Sequence, residues 1–174
     1  LSATATAHTL IKTRSDEAPY SITKSNSSSN ITDATGEKRY ALVIGNKDYK
    51  VGPLPNAGND AYDLAELLKQ KNFEVQKVID GTRLEMRNAI RDFSNKLASG
   101  GVGLFYFSGH GVQVDGDNFL VPIDADYEYK EEVPDVCVNV SYILRFMETS
   151  NNRLNILILD ACRNSPFKSF SRSG

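Results

Sequence analysis

A chain of 174 residues is long enough for one domain with one sizeable core and too short for two of ordinary size. Its 20 Lys and Arg against 22 Asp and Glu leave a formal net charge of -2, which excludes the strong field that gathers nucleic acid or an anionic membrane. No apolar run reaches the roughly eighteen residues of a membrane span, the first residues lack a secretory pattern, and two cysteines cannot make a disulfide framework, so a reducing, cytoplasmic setting is expected.

Residues 1–38 differ in composition from the rest of the chain: 14 of them are Ser or Thr, and SNSSSN at residues 25–30 is low in complexity, so the segment cannot build a core. Two short patches, residues 8–12 and 20–24, are suited to a peripheral hairpin on a weakly ordered extension. The sequons at Asn26, Asn30 and Asn139 are read as accidental, because nothing marks the chain for secretion. The chain starts at Leu1 and not at a methionine, and an address on an upstream segment would be lost with it.

The folded domain is expected from Arg39 to Pro166. YALVIG at residues 40–45 reads as a short buried strand, followed by a Pro/Gly/Asn-rich loop at 46–56. Ala57, Ala61, Leu64, Leu67 and Leu68 recur at helical spacing to about Lys71, and residues 73–79 alternate as a half-covered strand does. Strand, helix, strand opens a doubly wound α/β sheet. Thr82 with Glu85 three residues on predicts a capping box, and Met86, Ile90, Phe93 and Leu97 form the buried stripe of the helix it starts.

VGLFYF at 102–107 predicts a central strand running into a Ser108-Gly109-His110-Gly111 loop. Asp115-Gly116-Asp117 predicts the turn of a hairpin whose return limb is residues 119–121, and the acid-rich stretch 124–132 a solvated loop. Ser141 is suited to cap a short helix through Ile143, Leu144, Phe146 and Met147. LNILILD at 154–160 is apolar enough for a strand buried on both faces. Four principal parallel strands result, of a mostly parallel sheet flanked by helices, and the last of them needs a neighbour.

Catalysis is expected where open α/β sheets keep their ligands, beyond the carboxyl ends of the strands. Cys162 ends the last strand and His110 follows the central one. A thiol with an ordinary pKa near 8.5 becomes a good nucleophile when a nearby imidazolium stabilises its thiolate. Gly109 and Gly111 would give the histidine's loop strained angles and a close approach to substrate. The Gly111 and Cys162 N–H groups are candidate oxyanion donors, and a backbone carbonyl is the expected orienter of His110, a dyad rather than a triad. Cys137, in VCVN, reads as a buried small hydrophobe, and His8 as a solvated side chain. Asp60, at the start of the first helix, and Asp160, two residues before Cys162, are suited to hold one arginine or lysine side chain between them. Their plainer readings are helix capping for Asp60 and a structural salt bridge for Asp160.

YFSGHG (106–111), DACR (160–163), YALVIGN (40–46) and LPNAGNDAYDLAELL (54–68) together resemble the caspase-like cysteine peptidases, more the bacterial orthocaspase, metacaspase and paracaspase branches than the animal caspases. The resemblance covers Arg39 to about Pro166. It implies a caspase-like three-layer fold, a His110–Cys162 dyad, and an Asp60–Asp160 pocket for cleavage of protein or peptide substrates after Arg or Lys. Animal caspases tend to carry Gln where Asp160 stands, which disfavours cleavage after Asp. Metacaspases commonly have His-Ser-Gly after the nucleophile; Arg163-Asn164-Ser165 is nearer the bacterial and paracaspase pattern.

Many metacaspases need calcium, but Asp124, Asp126, Glu128, Glu131 and Glu132 lack the ordered spacing of a calcium loop, so no cofactor is expected, with calcium dependence as the open alternative. Family domains continue past the cysteine into a small portion with two more strands. The chain is therefore expected to be a large subunit, with residues 167–174 a flexible tail toward a small subunit outside this sequence, and Lys168 and Arg172 as self-processing sites. Two alternatives stand beside the peptidase. One is a non-catalytic caspase-like scaffold or inert isolated large subunit; the other, a nucleotide-binding domain, lacks a placed P-loop lysine and a G-x-G-x-x-G run.

Overall fold

The computed structural model describes residues 7–13, 36–150 and 152–162. In chain order these form β1 (Ala7–Thr13), β2 (Arg39–Gly45), α1 (Pro55–Gln70), β3 (Glu74–Ile79), α2 (Arg83–Leu97), β4 (Val102–Val114), β5 (Asp117–Leu120), α3 (Val133–Val136), β6 (Val138–Asn139), α4 (Val140–Thr149) and β7 (Leu154–Cys162). The patch at residues 20–24, the low-complexity run, the sequons at Asn26 and Asn30, and the tail with Lys168 and Arg172 lie outside the described residues.

The sheet runs β1-β7-β4-β2-β3, with β5 and β6 added at the end of β4. The four strands expected to be parallel are so: β2 with β3, β2 with β4, and β4 with β7. The whole sheet is nevertheless mixed, because β1, β5 and β6 all pair antiparallel. β1 lies against the outer edge of β7, from Ala7↔Asp160 to Thr13↔Leu154. The neighbour that β7 required thus comes from the N-terminal extension, which brings it as a strand of the main sheet.

Strand alternation sorts the core into two layers. Ala41, Val43, Leu104 and Tyr106 face α1, with Ile156 and Ile158 packed beside them, while Leu42, Ile44, Phe105, Phe107 and Leu157 face α2 and α4. α1 meets its face through Ala57, Ala61 and Ala65, all buried, so small side chains let the helix lie close on β2. Its first residue is Pro55, whose missing N–H is no loss in a first turn. α2 begins at the Thr82–Glu85 capping box read from the sequence, with Met86, Ile90, Phe93 and Leu97 buried.

Three local expectations change. β4 does not stop at Phe107 but runs on to Val114, thirteen residues in all, because its edges change partner without leaving the extended conformation. β2 accompanies it to Gly45↔Ser108, β7 to His110↔Cys162, and β5 takes over from Gly111↔Leu120. The N-cap of α4 is Asn139 rather than Ser141: the Asn139 side chain accepts the Ser141 N–H at 2.7 Å. The stretch 124–132, expected as loop, ends in a 3-10 turn at Lys130–Glu132, and α3 and the short β6 follow it; elements of two to four residues are too short for periodicity to reveal.

The α1 contact makes a stability prediction. Ala61→Leu inserts a side chain where none fits, and should lower unfolding free energy by about 1–3 kcal/mol, measured as a shift of the denaturant midpoint at constant slope.

Candidate active site

Where β2 ends, the chain enters a loop, residues 46–54, that is pinned at several points. Asn46 is fully buried, a position where an unpaired amide would be costly. Its Nδ2 donates to the carbonyls of Gly81 and Val121 at 3.3 and 3.2 Å, its Oδ1 accepts the Gly81 N–H at 2.9 Å, and its backbone N–H donates to Ser108 O. The Asp80 carboxylate accepts the next two N–H groups, of Lys47 and Asp48, at 2.8 and 2.9 Å. Leu54 N–H closes the loop on Lys47 O.

This loop carries Gly52 to the histidine. Gly52 has φ of 65°, a left-handed conformation that glycine adopts without strain, and its carbonyl lies 2.5 Å from His110 Nε2. A carbonyl only accepts, so Nε2 carries the proton and Nδ1 is left as the basic nitrogen. The orienter is therefore a backbone carbonyl, as the lack of a nearby carboxylate or amide had suggested. His110 is 9% exposed. Burial pushes its pKa below the ordinary 6.5, and the bond to Gly52 opposes that shift. Burial thus favours the neutral imidazole, the form suited to take a proton, over the imidazolium expected to stabilise a thiolate.

His110 and Cys162 are register partners on adjacent parallel strands, a spacing of about 4.8 Å between strands. The backbone N–H groups of Gly111 and Cys162 stand at the end of this ladder. Gly109 and Gly111 are not in strained angles; they belong to extended β4. What Gly109 supplies is space, since a Cβ there would come within 2.6 Å of Tyr49 Oη.

The two carboxylates share a cavity. Asp60, Asp160, Ser108 and Gly109 line a space of about 210 Å³ with Leu54, Pro55, Asn56 and Ala57. Ser108 and Asp160 are register partners across β4 and β7. Tyr106, below them, has its phenol pKa raised mainly by burial, and the negative charges of Asp160 and Asp60 add to the effect, so both carboxylates act on the same spot. Asp60 is the sixth residue of α1, whose first turn holds no acid, which removes the capping explanation for it. Among the described residues no Lys or Arg forms a salt bridge with Asp60 or Asp160.

The acids offered for calcium do not converge. Asp124 accepts the Arg83 backbone N–H at 2.8 Å, and Glu132 folds back onto the N–H groups of Glu128 and Tyr129. Among the described residues no three His, Cys, Asp or Glu are grouped to share an ion. Cys137 is a free, buried thiol whose pKa burial pushes up to about 12, in keeping with a core role. Sequence reasoning missed Asn46, Tyr49, Gly52 and Asp80. The available signals were a polar residue directly after a buried strand and a Gly-Pro step inside a short loop.

Comparison with known proteins gives the family. Residues 38–173 match the caspase domain of the C14 peptidases. The chain belongs to the caspase-domain family. It is 40% identical over 126 residues to the mucosa-associated lymphoid tissue lymphoma translocation protein 1 of Homo sapiens, and to the same degree to its homolog in Mus musculus. That similarity puts the domain with the paracaspases, one of the branches its motifs resemble. The aligned region is 72% of this chain and 15% of either relative, so the chain spans a small part of the curated proteins it matches.

The histidine geometry has a direct readout in this caspase domain. Nitrogen-15 NMR of the imidazole should show a proton held on Nε2, and His110 should titrate below 6.5; a midpoint at or above that value would contradict its burial.

Proposed function

We propose that this caspase domain is a cysteine endopeptidase that cleaves after arginine or lysine. The observation that carries the proposal is the pair of carboxylates, Asp60 and Asp160, on one cavity beside Ser108 and Gly109, next to the rung that joins His110 and Cys162. A guanidinium is matched by two carboxylates through its planar fork, and an ammonium by their combined charge. An acidic side chain would be repelled there.

In the proposed reaction Nδ1 of His110 takes the thiol proton as Cys162 attacks the carbonyl carbon of the basic residue. The developing oxyanion is held by the N–H groups of Gly111 and Cys162, which the end of the β4–β7 ladder makes available as the substrate arrives. Collapse breaks the C–N bond, and the His110 proton leaves with the new amine. Water, deprotonated by the same imidazole, then hydrolyses the thioester and restores the thiol. This chemistry requires the thiol reduced, as a cytoplasmic setting would keep it.

The domain organisation belongs to the same proposal: residues 1–38 as an extension, 39–166 as the large subunit, and the tail with Lys168 and Arg172 as a place for self-cleavage. A small subunit from outside the chain would complete the substrate groove. β1 already holds the outer edge of β7, so that small portion would add beyond β1 or take its place.

The test is hydrolysis of fluorogenic peptides ending in Arg, Lys or Asp by the full-length protein. The Arg and Lys peptides should be cut and the Asp peptide left intact; cleavage of none of them would overturn the proposal. Cys162→Ala should abolish turnover while leaving the thermal midpoint within a few degrees of the parent. Asp160→Asn should lower kcat/KM for the Arg peptide about 30-fold, the equivalent of about 2 kcal/mol for a half-buried charge pair, mostly through KM. With neutral His110 as the base, kcat/KM should fall off on the acid side only below pH 6.5.

A further inference from the structure

We propose that Tyr49 is the positioning residue of the catalytic histidine, holding the His110 backbone and ring so that Nε2 stays on the Gly52 carbonyl and Nδ1 stays free for proton transfer. The inference rests on the peptidase reading of His110. It begins from an irregularity in the sheet. His110 and Val121 are placed as an antiparallel pair, one step beyond Gly111↔Leu120, and such a pair ordinarily exchanges two backbone hydrogen bonds. One is present, from Val121 N–H to His110 O at 2.9 Å. The other is replaced by the tyrosine hydroxyl, which accepts the His110 N–H at 3.0 Å and donates to Val121 O at 2.9 Å.

Tyr49 is thus built into a rung of the ladder. It is 5% exposed, and its ring centroid lies 4.5 Å from that of the imidazole at a tilt of 53°. The ring forms an apolar wall on one side of His110, while Gly52 holds the far nitrogen. Burial raises the phenol's own pKa, so the hydroxyl keeps the proton it gives to Val121. Gly109 leaves the room that the hydroxyl occupies. Tyr49 is carried by the same loop as Gly52, and that loop is tied down by Asp80 at Lys47 and Asp48. One short segment therefore grips the histidine at its backbone, its face and its Nε2.

A core tyrosine present only for its area would be replaced by phenylalanine without consequence, because the ring and the packing survive. Loss of the hydroxyl here instead leaves the His110 N–H and the Val121 carbonyl without their link. In Tyr49→Phe, kcat for the Arg-ended peptide should fall about five- to tenfold, the size expected for one such hydrogen bond, with KM within about twofold. NMR of the intact protein should show the His110 midpoint moving up toward 6.5 and the Nε2 proton exchanging faster. Tyr49→Leu, which removes the ring as well, should move that midpoint further. Wild-type kcat together with an unchanged imidazole titration in Tyr49→Phe would overturn the inference. So would a loss of kcat accompanied only by a lower thermal midpoint, with the imidazole titration unmoved. If the parent protein cuts none of the peptides, the peptidase reading fails by itself, and the NMR comparison still decides whether Tyr49 positions His110.

Discussion

Strand β4 keeps its pairing with β7 as far as the His110↔Cys162 rung, while its other edge, left by β2 at Ser108, is taken over beyond Gly111 by β5. Because the strand never breaks, the histidine is fixed by backbone hydrogen bonds on a rigid element instead of riding on a loop. A residue on such an element is placed to within fractions of an ångström, which proton transfer at hydrogen-bond distance demands. The remaining contacts come from the other side, from the loop after β2, which Asn46 and Asp80 hold in place.

That loop is an economical solution to a local electrostatic problem. A buried imidazole needs one nitrogen satisfied and the other available, and a carboxylate partner would raise its pKa and favour the charged form. A carbonyl satisfies Nε2 with a dipole in place of a full charge, while burial lowers the pKa of His110 and favours its neutral form. The two carboxylates nearby, Asp60 and Asp160, border a different cavity along the sheet edge and are joined there by Ser108. The arrangement keeps the acids beside His110 without making either of them its partner.

Covering an edge is the second constraint. β7 carries apolar side chains toward both faces, and its outer backbone groups would be exposed without a partner. β1 supplies that partner from a segment whose composition promises no structure of its own, and in doing so turns a parallel array into a mixed sheet. Low complexity around a short β-prone patch does not reveal that the patch will be recruited by a distant edge, since pairing depends on what is left open elsewhere in the fold.

Much of the frame is local enough to be legible in the chain. The strands at YALVIG, VGLFYF and LNILILD are apolar runs of the right length, and the Thr82–Glu85 box and its buried stripe are evident from spacing alone. His110 and Cys162 stand out because reactive side chains rarely follow two such runs, and Asp60 and Asp160 because acids are rare so close to buried segments. The short elements were not legible, because α3 and β6 are shorter than one full period of any pattern, and neither was the continuation of β4, because Ser-Gly-His-Gly reads as loop until β5 is there to pair with it. Tyr49, Gly52, Asn46 and Asp80 matter only through partners 30 to 75 positions away. The amino-acid order by itself determined which groups were available and on which strands they ride. The lowered pKa of the imidazole, the carbonyl that orients it and the meeting of two carboxylates on one cavity were decided by the tertiary structure, because burial and long-range contact are properties of the packed chain and have no counterpart in neighbouring residues.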